Sequence, residues 1–297
     1  MLQQLKAFLL RALDFVLRKR NFLFLKFEQK NLDKGYSLLS DSQKTYYEKA
    51  VSRIIVSNLK LKRFRRIYNY REIVETVTYK QGIECLNRIE LLGSLPNYDF
   101  SKHFVNDSFG KPIKFSYPGI GLISPTTIRY ISIAFELKKL FGEELKGNFV
   151  EIGVGYGGQA SILSDFFRID EYGIFDLPDV QQLTKIYLTQ IGKADNLKMY
   201  SLTDNPLKEW DLVMSNYAFS ELPSELQKTY IEKVISKSKR GYLIMNSGMN
   251  NSSGRSDGKL HLSELRTLLP VFEILDEIPN TGPDNYVIVW GHNRVLI

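Results

Sequence analysis

Residues 150–158 read Val-Glu-Ile-Gly-Val-Gly-Tyr-Gly-Gly, where an apolar run leads into a glycine-rich turn. A second apolar run further on ends on a carboxylate, in Ile174-Phe-Asp-Leu-Pro178. Gly153, Gly155 and Gly157 lack a β-carbon, so the backbone can turn tightly and a ligand can approach it closely. The helix expected after the turn presents its N-terminus to that ligand. The pattern predicts an α/β sheet with a nucleotide-type cofactor at the carboxyl ends of its strands.

The type of cofactor is indicated by the residue that precedes the turn. Gly153, Gly155 and Gly158 also satisfy the G-x-G-x-x-G pattern of dinucleotide-binding proteins. Glu151 lies two residues before the first glycine, and a carboxylate at that position would repel a pyrophosphate. It suits a cofactor with a cationic or amine-bearing end. The sequence therefore favours such a cofactor over a nicotinamide dinucleotide.

Three segments carry a resemblance to a known superfamily. Residues 151–158 resemble motif I of the class I S-adenosyl-L-methionine (SAM) dependent methyltransferases, and residues 211–219 resemble its fourth-strand motif. Together with Ser-Pro-x-x-Ile-Arg-Tyr at 124–130, they are most similar to the bacterial sugar O-methyltransferases. The resemblance covers roughly residues 116–297. It implies a Rossmann-like α/β fold with a seven-stranded, mostly parallel sheet and an antiparallel last strand.

The resemblance also implies SAM as the cofactor and assigns residues to it. The glycine turn is expected to pack against the methionine part, and Asp176 to accept hydrogen bonds from the ribose hydroxyls. A glycine turn without a ligand, and a helix-capping role for Asp176, are the alternatives. The expected cofactor-binding residues are Glu151, Gly153, Gly155, Tyr156, Gly157, Asp176, Leu177, Ser201, Ser215 and Asn216.

Two residues are candidate catalytic bases. A sugar hydroxyl has a high pKa, so its proton has to be taken up during methyl transfer. Glu221 comes just after the fourth-strand motif, and His261 ends a long polar loop over residues 246–261. Loops of this length are often functional, and histidine titrates near neutral pH. The alternatives are a helix N-terminal charge for Glu221 and a surface or helix-capping role for His261.

Four polar residues are candidates for binding the acceptor: Arg129, Tyr217, Asn246 and Arg255. The tyrosine and the asparagine can hydrogen-bond a polyol. Arg129 either binds a carboxylate or phosphate of the acceptor or pairs with an acid in the core, and both interpretations are open. No His/Asp/Glu cluster has recognisable metal-ligand spacing, so no metal is predicted.

Composition and charge bound the class of protein. At 43% hydrophobic and 12% aromatic residues, the chain is expected to bury a full core. Its single cysteine, Cys85, excludes an intramolecular disulfide and favours a reducing, cytoplasmic location. Residues 1–30 contain seven basic and two acidic residues, a net charge of +5. Residues 31–80 contain eleven basic and five acidic residues, a net charge of +6. Residues 81–297 contain 22 basic and 26 acidic residues, a net charge of −4. The excess positive charge is N-terminal, which indicates a partner for that part of the chain.

The first residues predict an amphipathic basic helix within 1–30. At about 100° per residue, its apolar face holds Leu2, Leu5, Phe8, Leu9, Ala12, Leu13 and Val16. Peripheral docking on an anionic membrane surface, at the inner face, is one interpretation. Packing on the protein itself or on a second subunit of a homo-oligomer is the other. No run reaches the length of about 18 apolar residues, so no transmembrane helix is predicted.

The remaining N-terminal sequence completes the predicted organisation. Residues 1–115 are expected to be mainly helical, residues 96–120 to form a boundary and active-site cover, and residues 116–297 to form the methyltransferase domain. The basic stretch 59–71 is interpreted as a helix whose Leu61, Phe64, Ile67 and Tyr68 face the core. Binding of an anionic glycan or lipid headgroup by this stretch stays open, and nucleic acid is not the expected partner.

Overall fold

The computed structural model describes residues 46–93, 95, 98–204, 208–249, 258–282 and 285–292. The amphipathic helix predicted within residues 1–30 and the acceptor-binding role predicted for Arg255 lie outside these residues. Among the described helices, none has the length and apolar composition needed to cross a membrane.

The N-terminal region is helical, as predicted, but its basic stretch is not one helix. The helices are α1 (Tyr46–Ile55), α2 (Asn58–Leu61), α3 (Tyr68–Val74) and α4 (Tyr79–Leu91). A 3-10 turn over Phe64–Arg66 separates α2 from α3. Phe64 is buried as predicted, whereas Tyr68 is 37% exposed and does not face the core. The helix is interrupted where Arg65 turns inward, because its guanidinium lies buried 3.0 Å from the carboxylate of Asp107.

A seven-stranded sheet forms the centre of the described structure, in the order β5-β4-β3-β6-β7-β9-β8. Strand β9 runs antiparallel to both of its neighbours, and the other pairs are parallel. This topology confirms the predicted fold. The strands are β3 (Lys146–Ile152), β4 (Arg168–Phe175), β5 (Leu197–Tyr200), β6 (Leu212–Asn216), β7 (Gly241–Met245), β8 (Glu273–Asp276) and β9 (Tyr286–Trp290).

Further helices connect the strands and cover both faces of the sheet. They are α5 (Pro125–Phe141), α6 (Gly158–Phe166), α7 (Pro178–Gln190), α8 (Ala218–Glu221), α9 (Ser224–Lys233) and α10 (Leu262–Leu268). A hairpin of β1 (Phe115–Tyr117) and β2 (Gly121–Ile123) precedes α5. Helix α5 begins after Ser124, whose hydroxyl accepts a hydrogen bond from the Thr127 amide, and Pro125 occupies its first turn.

The N-terminal helices and one face of the sheet share a single hydrophobic core. Val51 and the thiol-bearing Cys85 belong to the same buried cluster as Phe149 of β3 and Ile174 of β4. Buried ion pairs add to this contact, including Arg88 of α4 with Glu136 of α5 at 2.9 Å. In the segment predicted as a cover, a 3-10 turn over Ser101–Asp107 is largely built into the core. Residues 46–120 therefore form part of the body that supports the sheet.

Candidate functional site

The glycine turn joins β3 to α6 at the carboxyl edge of the sheet. Gly153, Gly155 and Gly157 have φ angles of +79°, +60° and +88°, which side-chain-bearing residues rarely adopt. A β-carbon on Gly153 would lie 2.0 Å from the β-carbon of Ala218, so the turn also needs glycine for close packing against α8. The tight turn predicted from the three glycines is confirmed.

Asp176 lies directly beside this turn, at the end of β4. Its carboxylate accepts hydrogen bonds from the Leu177 amide at 2.7 Å and from the Gly155 amide at 3.4 Å. Leu177, and not Asp176, occupies the N-cap position of α7, so the alternative capping role is not observed. Burial raises the pKa of Asp176 to about 6. The Asp176 carboxylate therefore lies at the edge of the turn, where its oxygens can accept further hydrogen bonds.

Glu151 is buried beneath the turn, on β3. The Tyr172 hydroxyl donates to its Oε2 at 2.7 Å, and the Asn216 amide nitrogen lies 3.3 Å from its Oε1. Burial raises the pKa of Glu151 to about 8. The amide oxygen of Asn216 is itself buried and has no hydrogen-bond partner in the part of the chain that the structure describes. A carboxylate and an unpaired amide oxygen side by side are suited to a ligand that donates hydrogen bonds, such as an ammonium group.

Two predicted cofactor residues, Tyr156 and Ser215, have side chains that point into the core, so side-chain contact with a ligand in the turn is not available to them. The Tyr156 side chain is fully buried, with its ring 4.6 Å from the Arg65 guanidinium and 4.8 Å from the ring of Tyr187. The Ser215 hydroxyl donates to the Ile152 carbonyl at 2.8 Å and accepts from the Phe219 amide at 3.0 Å. Both side chains lie in the core beneath the turn, where the Ser215 hydroxyl has both a donor and an acceptor partner and the Tyr156 ring packs on aromatic and cationic neighbours.

The other two predicted cofactor residues lie at the carboxyl edge. Leu177 is 39% exposed next to Asp176. Ser201 is exposed just beyond β5, where its hydroxyl lies 2.9 Å from that of Thr203. Their cofactor contacts remain predictions.

A buried polar network lies at the same edge of the sheet, centred on Glu277 at the end of β8. Its carboxylate accepts hydrogen bonds from Arg129 Nη2 at 3.0 Å, from the Tyr217 hydroxyl, from the Thr281 amide at 3.0 Å and from Asn285 Nδ2 at 2.8 Å. Arg129 therefore pairs with an acid, which was one of its two open interpretations. Its guanidinium is 9% exposed and is already bound on the side that faces Glu277.

Tyr217 connects this network to the cofactor side. It follows Asn216 directly and adopts a φ of +69°, an unusual conformation for an aromatic residue. Arg129 Nη2 lies 2.7 Å from its hydroxyl, and burial raises the pKa of Tyr217 to about 12. Strained residues of this kind cost about 1–3 kcal/mol and cluster at functional sites. The network holds the phenol next to the strand end that contacts Glu151.

The candidate bases Glu221 and His261 have different surroundings. Glu221 is exposed at the end of α8, where its carboxylate accepts a hydrogen bond from Asn246 Nδ2 at 2.8 Å. The predicted base and the predicted acceptor ligand are thus brought together. His261 occupies the N-cap position of α10, and its amide donates to Glu264 at 3.0 Å. This was its alternative role, although its Nδ1 atom is buried without a hydrogen-bond partner among the described residues.

The N-terminal helices cover the glycine turn, which the sequence did not indicate. Val74 of α3 comes within 3.5 Å of the position that a β-carbon on Gly155 would take. Ser52 of α1 donates a hydrogen bond to the carboxylate of Asp179 in α7. Burial and the negative charge of Asp176 raise the pKa of Tyr47. Helices α1 and α3 therefore cover the turn, and a cover formed by the segment 96–120 stays a prediction.

Sequence reasoning also missed Glu277 as a residue of the candidate site. It follows β8 as Asp176 follows β4, so a carboxylate directly after a predicted strand was the available signal.

Within the described ranges, no group of three or more His, Cys, Asp or Glu residues is placed to hold a metal ion. The predicted absence of a metal remains a prediction.

No protein-family model and no curated protein matches this chain. Several solved structures are remotely similar to it. The mitomycin 7-O-methyltransferase MmcR is 14% identical over 56% of this chain and 56% of its own, with a TM-score of 0.41. A SAM-dependent methyltransferase from Clostridium acetobutylicum is 10% identical over 54% of this chain and 88% of its own, with a TM-score of 0.41. The pyocyanin biosynthetic protein PhzM is 13% identical over 56% of each chain, with a TM-score of 0.40. The chain thus spans about half the length of two of these proteins, and likeness at this level does not identify an activity.

Proposed function

We propose that this chain is a SAM-dependent O-methyltransferase. The observation that carries the proposal is the pairing of Glu151 with Asn216 under the glycine turn, where a buried carboxylate accepts a hydrogen bond from an amide whose own oxygen has no partner among the described residues. Such a pair suits the ammonium end of an amino acid and disfavours a pyrophosphate. Asp176 stands one strand away, where it can accept hydrogen bonds from ribose hydroxyls.

The residues present fit SAM, and each has a distinct task. Glu151 and Asn216 would bind the amino-acid end, Asp176 the ribose, and Gly153 and Gly155 would let the backbone approach the ligand. When bound, SAM supplies an electrophilic methyl group carried on sulfur. The chain's own contribution is to align the acceptor oxygen with that methyl group, which can supply much of the rate acceleration.

For the acceptor we propose the hydroxyl of a sugar, either free, nucleotide-linked or lipid-linked, in surface-glycan biosynthesis. The sequence resemblance supports the sugar, and the polar groups around Tyr217 and Asn246 support a polyol in general. Glu221 is the proposed proton acceptor, because it is exposed beside Asn246 and beyond the end of β6. Arg129 would act by holding Tyr217 through its hydrogen bond to the phenol.

The proposal is tested by calorimetric titration of the full chain with SAM, S-adenosylhomocysteine and NADH. We expect the first two ligands to bind and NADH not to bind. Asp176→Ala should weaken SAM binding severely, whereas Glu225→Ala, at an exposed acid of α9, should not. Binding of NADH alone would replace the methyltransferase with an oxidoreductase.

Methyl transfer itself is then tested with isotopically labelled SAM and a panel of monosaccharides and nucleotide sugars. Transfer to a member of the panel would identify the acceptor class. Transfer only to amines or aromatic hydroxyls would retain the methyltransferase and overturn the sugar acceptor. Failure of all three calorimetric ligands to bind would contradict the proposed cofactor.

A further inference from the structure

The segment between Glu48 and Glu72 contains eight basic residues and no acidic residue. Two of them are neutralised within the protein, since Arg65 pairs with Asp107 and Arg71 pairs with Glu72. The other six are exposed and form no ion pair with any described residue: Lys49, Arg53, Lys60, Lys62, Arg63 and Arg66. Folding therefore leaves a concentration of positive charge on one short stretch of surface.

Two aliphatic side chains lie among these charges. Val56, between α1 and α2, is 82% exposed, and Leu59 in α2 is 68% exposed. They are held in a defined turn, because the Ser57 side chain caps α2 by accepting a hydrogen bond from the Lys60 amide. We call Val56, Leu59, Lys60, Lys62 and Arg63 the basic–apolar surface.

We propose that the basic–apolar surface docks on a membrane with anionic headgroups. Lysine and arginine side chains near such a membrane are attracted by its negative surface potential. Exposed aliphatic side chains beside them can enter the boundary between headgroups and acyl chains. Here both kinds of side chain are provided by residues 56–63, which gives the surface the chemistry of an interfacial membrane contact.

The aromatic residues of the same segment argue against single-stranded nucleic acid as the ligand. Proteins that bind single-stranded nucleic acid stack its bases on aromatic side chains along a basic groove. Phe64 and Tyr70 are fully buried, and their rings pack on each other at 5.2 Å. Tyr68, at 37% exposure, is the one aromatic side chain of residues 49–71 that is exposed, and a single ring does not form a stacking platform. The charges are thus accompanied at the surface by aliphatic groups, which serve a lipid boundary better than a base stack.

The surface is directly connected to the candidate site. Arg65, within the same segment, lies over the ring of Tyr156, and Val74 at the end of α3 covers Gly155. Docking would therefore place the cover of the glycine turn close to the membrane. The proposal does not depend on the chemistry of the site, because vesicle binding is measured without cofactor or acceptor.

The test is co-sedimentation of the full 297-residue chain with phosphatidylcholine vesicles containing about 30% phosphatidylglycerol, over a range of lipid concentrations. We expect binding to these vesicles and much weaker binding to pure phosphatidylcholine. The triple variant Lys60→Gln/Lys62→Gln/Arg63→Gln should lower the partition coefficient by about 100-fold. This is the change expected from the loss of three basic side chains that each contact the anionic surface. Val56→Ser/Leu59→Ser should also lower it.

A matched control removes three exposed lysines elsewhere, in Lys139→Gln/Lys146→Gln/Lys185→Gln. This variant has the same net charge as the first triple variant and should keep most of the binding. Circular dichroism and thermal unfolding establish that each variant is folded. Absence of vesicle binding by the unmodified chain, or equal losses in the two triple variants, would overturn the proposal. So would loss of single-stranded oligonucleotide binding in the first variant with vesicle binding unchanged.

Discussion

The Nη2 atom of Arg129 lies 3.0 Å from the Oε1 atom of Glu277, and neither side chain is more than 9% exposed. This contact joins helix α5 to the end of strand β8, although 148 positions separate the two residues in the chain. Tyr217 hydrogen-bonds both partners, so the ion pair also holds the residue that follows β6. One buried pair thereby positions the acceptor side of the candidate site.

Removing one partner of this pair should destabilise the fold strongly. Glu277→Ala leaves the Arg129 guanidinium buried without its carboxylate, which we expect to lower the free energy of unfolding by about 3–5 kcal/mol. Urea unfolding measures the change. The double variant Arg129→Met/Glu277→Met should lose less free energy of unfolding than the sum of the losses in Arg129→Met and Glu277→Met, because no charge remains unpaired in it. Strict additivity would show that the two residues act independently, and Glu225→Ala at the exposed Lys228 pair serves as the control.

Binding of SAM at pH 7 should release about one proton from Glu151. Burial raises the pKa of this carboxyl to about 8 in the ligand-free protein, so it is mostly protonated at pH 7. An ammonium group bound beside it favours the ionised form and lowers its pKa, so affinity should rise as the pH increases towards 8 and fall above it, where the α-amino group of the free ligand loses its own proton. Asp176 contributes little at pH 7, because its pKa is about 6 and it is already ionised.

Calorimetry in buffers of different ionisation enthalpy measures this proton release. Glu151→Gln should abolish the release and weaken SAM binding, whereas Glu144→Gln at an exposed position should leave both unchanged. Proton uptake, or release that persists in Glu151→Gln, would show that another group titrates on binding.

Gly153→Ala should destabilise the protein more than Gly192→Ala does. Both glycines have positive φ, at +79° and +73°, so both substitutions introduce backbone strain. Only the first also places a β-carbon 2.0 Å from that of Ala218, since nothing lies within 4 Å of the corresponding position at Gly192. We expect a further loss of about 1–3 kcal/mol from this overlap, measured by urea unfolding. Adding Ala218→Gly should recover part of it, and equal losses in the two single variants would contradict the packing argument.

Under the proposed function, Glu221→Gln should reduce turnover by about 100-fold or more while leaving SAM affinity unchanged. The amide keeps the shape of the side chain beside Asn246 but cannot accept the acceptor's proton. Single-turnover assays with labelled SAM and the acceptor found in the panel measure the rate. Glu225→Gln on the next helix is the matched control. An unchanged rate would remove Glu221 as the base and direct attention to His261, through His261→Gln.

Local patterns were sufficient to predict the sheet and the glycine turn at its carboxyl edge. Three of these features are properties of short segments: strands that alternate with helices along the chain, the glycine turn, and the carboxylate after β4. They can be predicted locally because φ preferences and the positions of strand ends depend on neighbouring residues. The inward direction of the Tyr156 and Ser215 side chains was not predicted, because the sequence places a residue on the turn or strand but does not specify which way its side chain points.

The sequence by itself determined the α/β class, the glycine turn and the carboxylates Glu151 and Asp176 that flank it. Only the tertiary structure decided that Arg129 pairs with Glu277, that Tyr217 is held between them, and that α1 and α3 cover the turn. It likewise decided that Arg65 is buried while Lys60 and Arg63 are exposed. Such pairings join residues far apart in the chain, and they depend on how the helices pack against the sheet, which no local preference encodes.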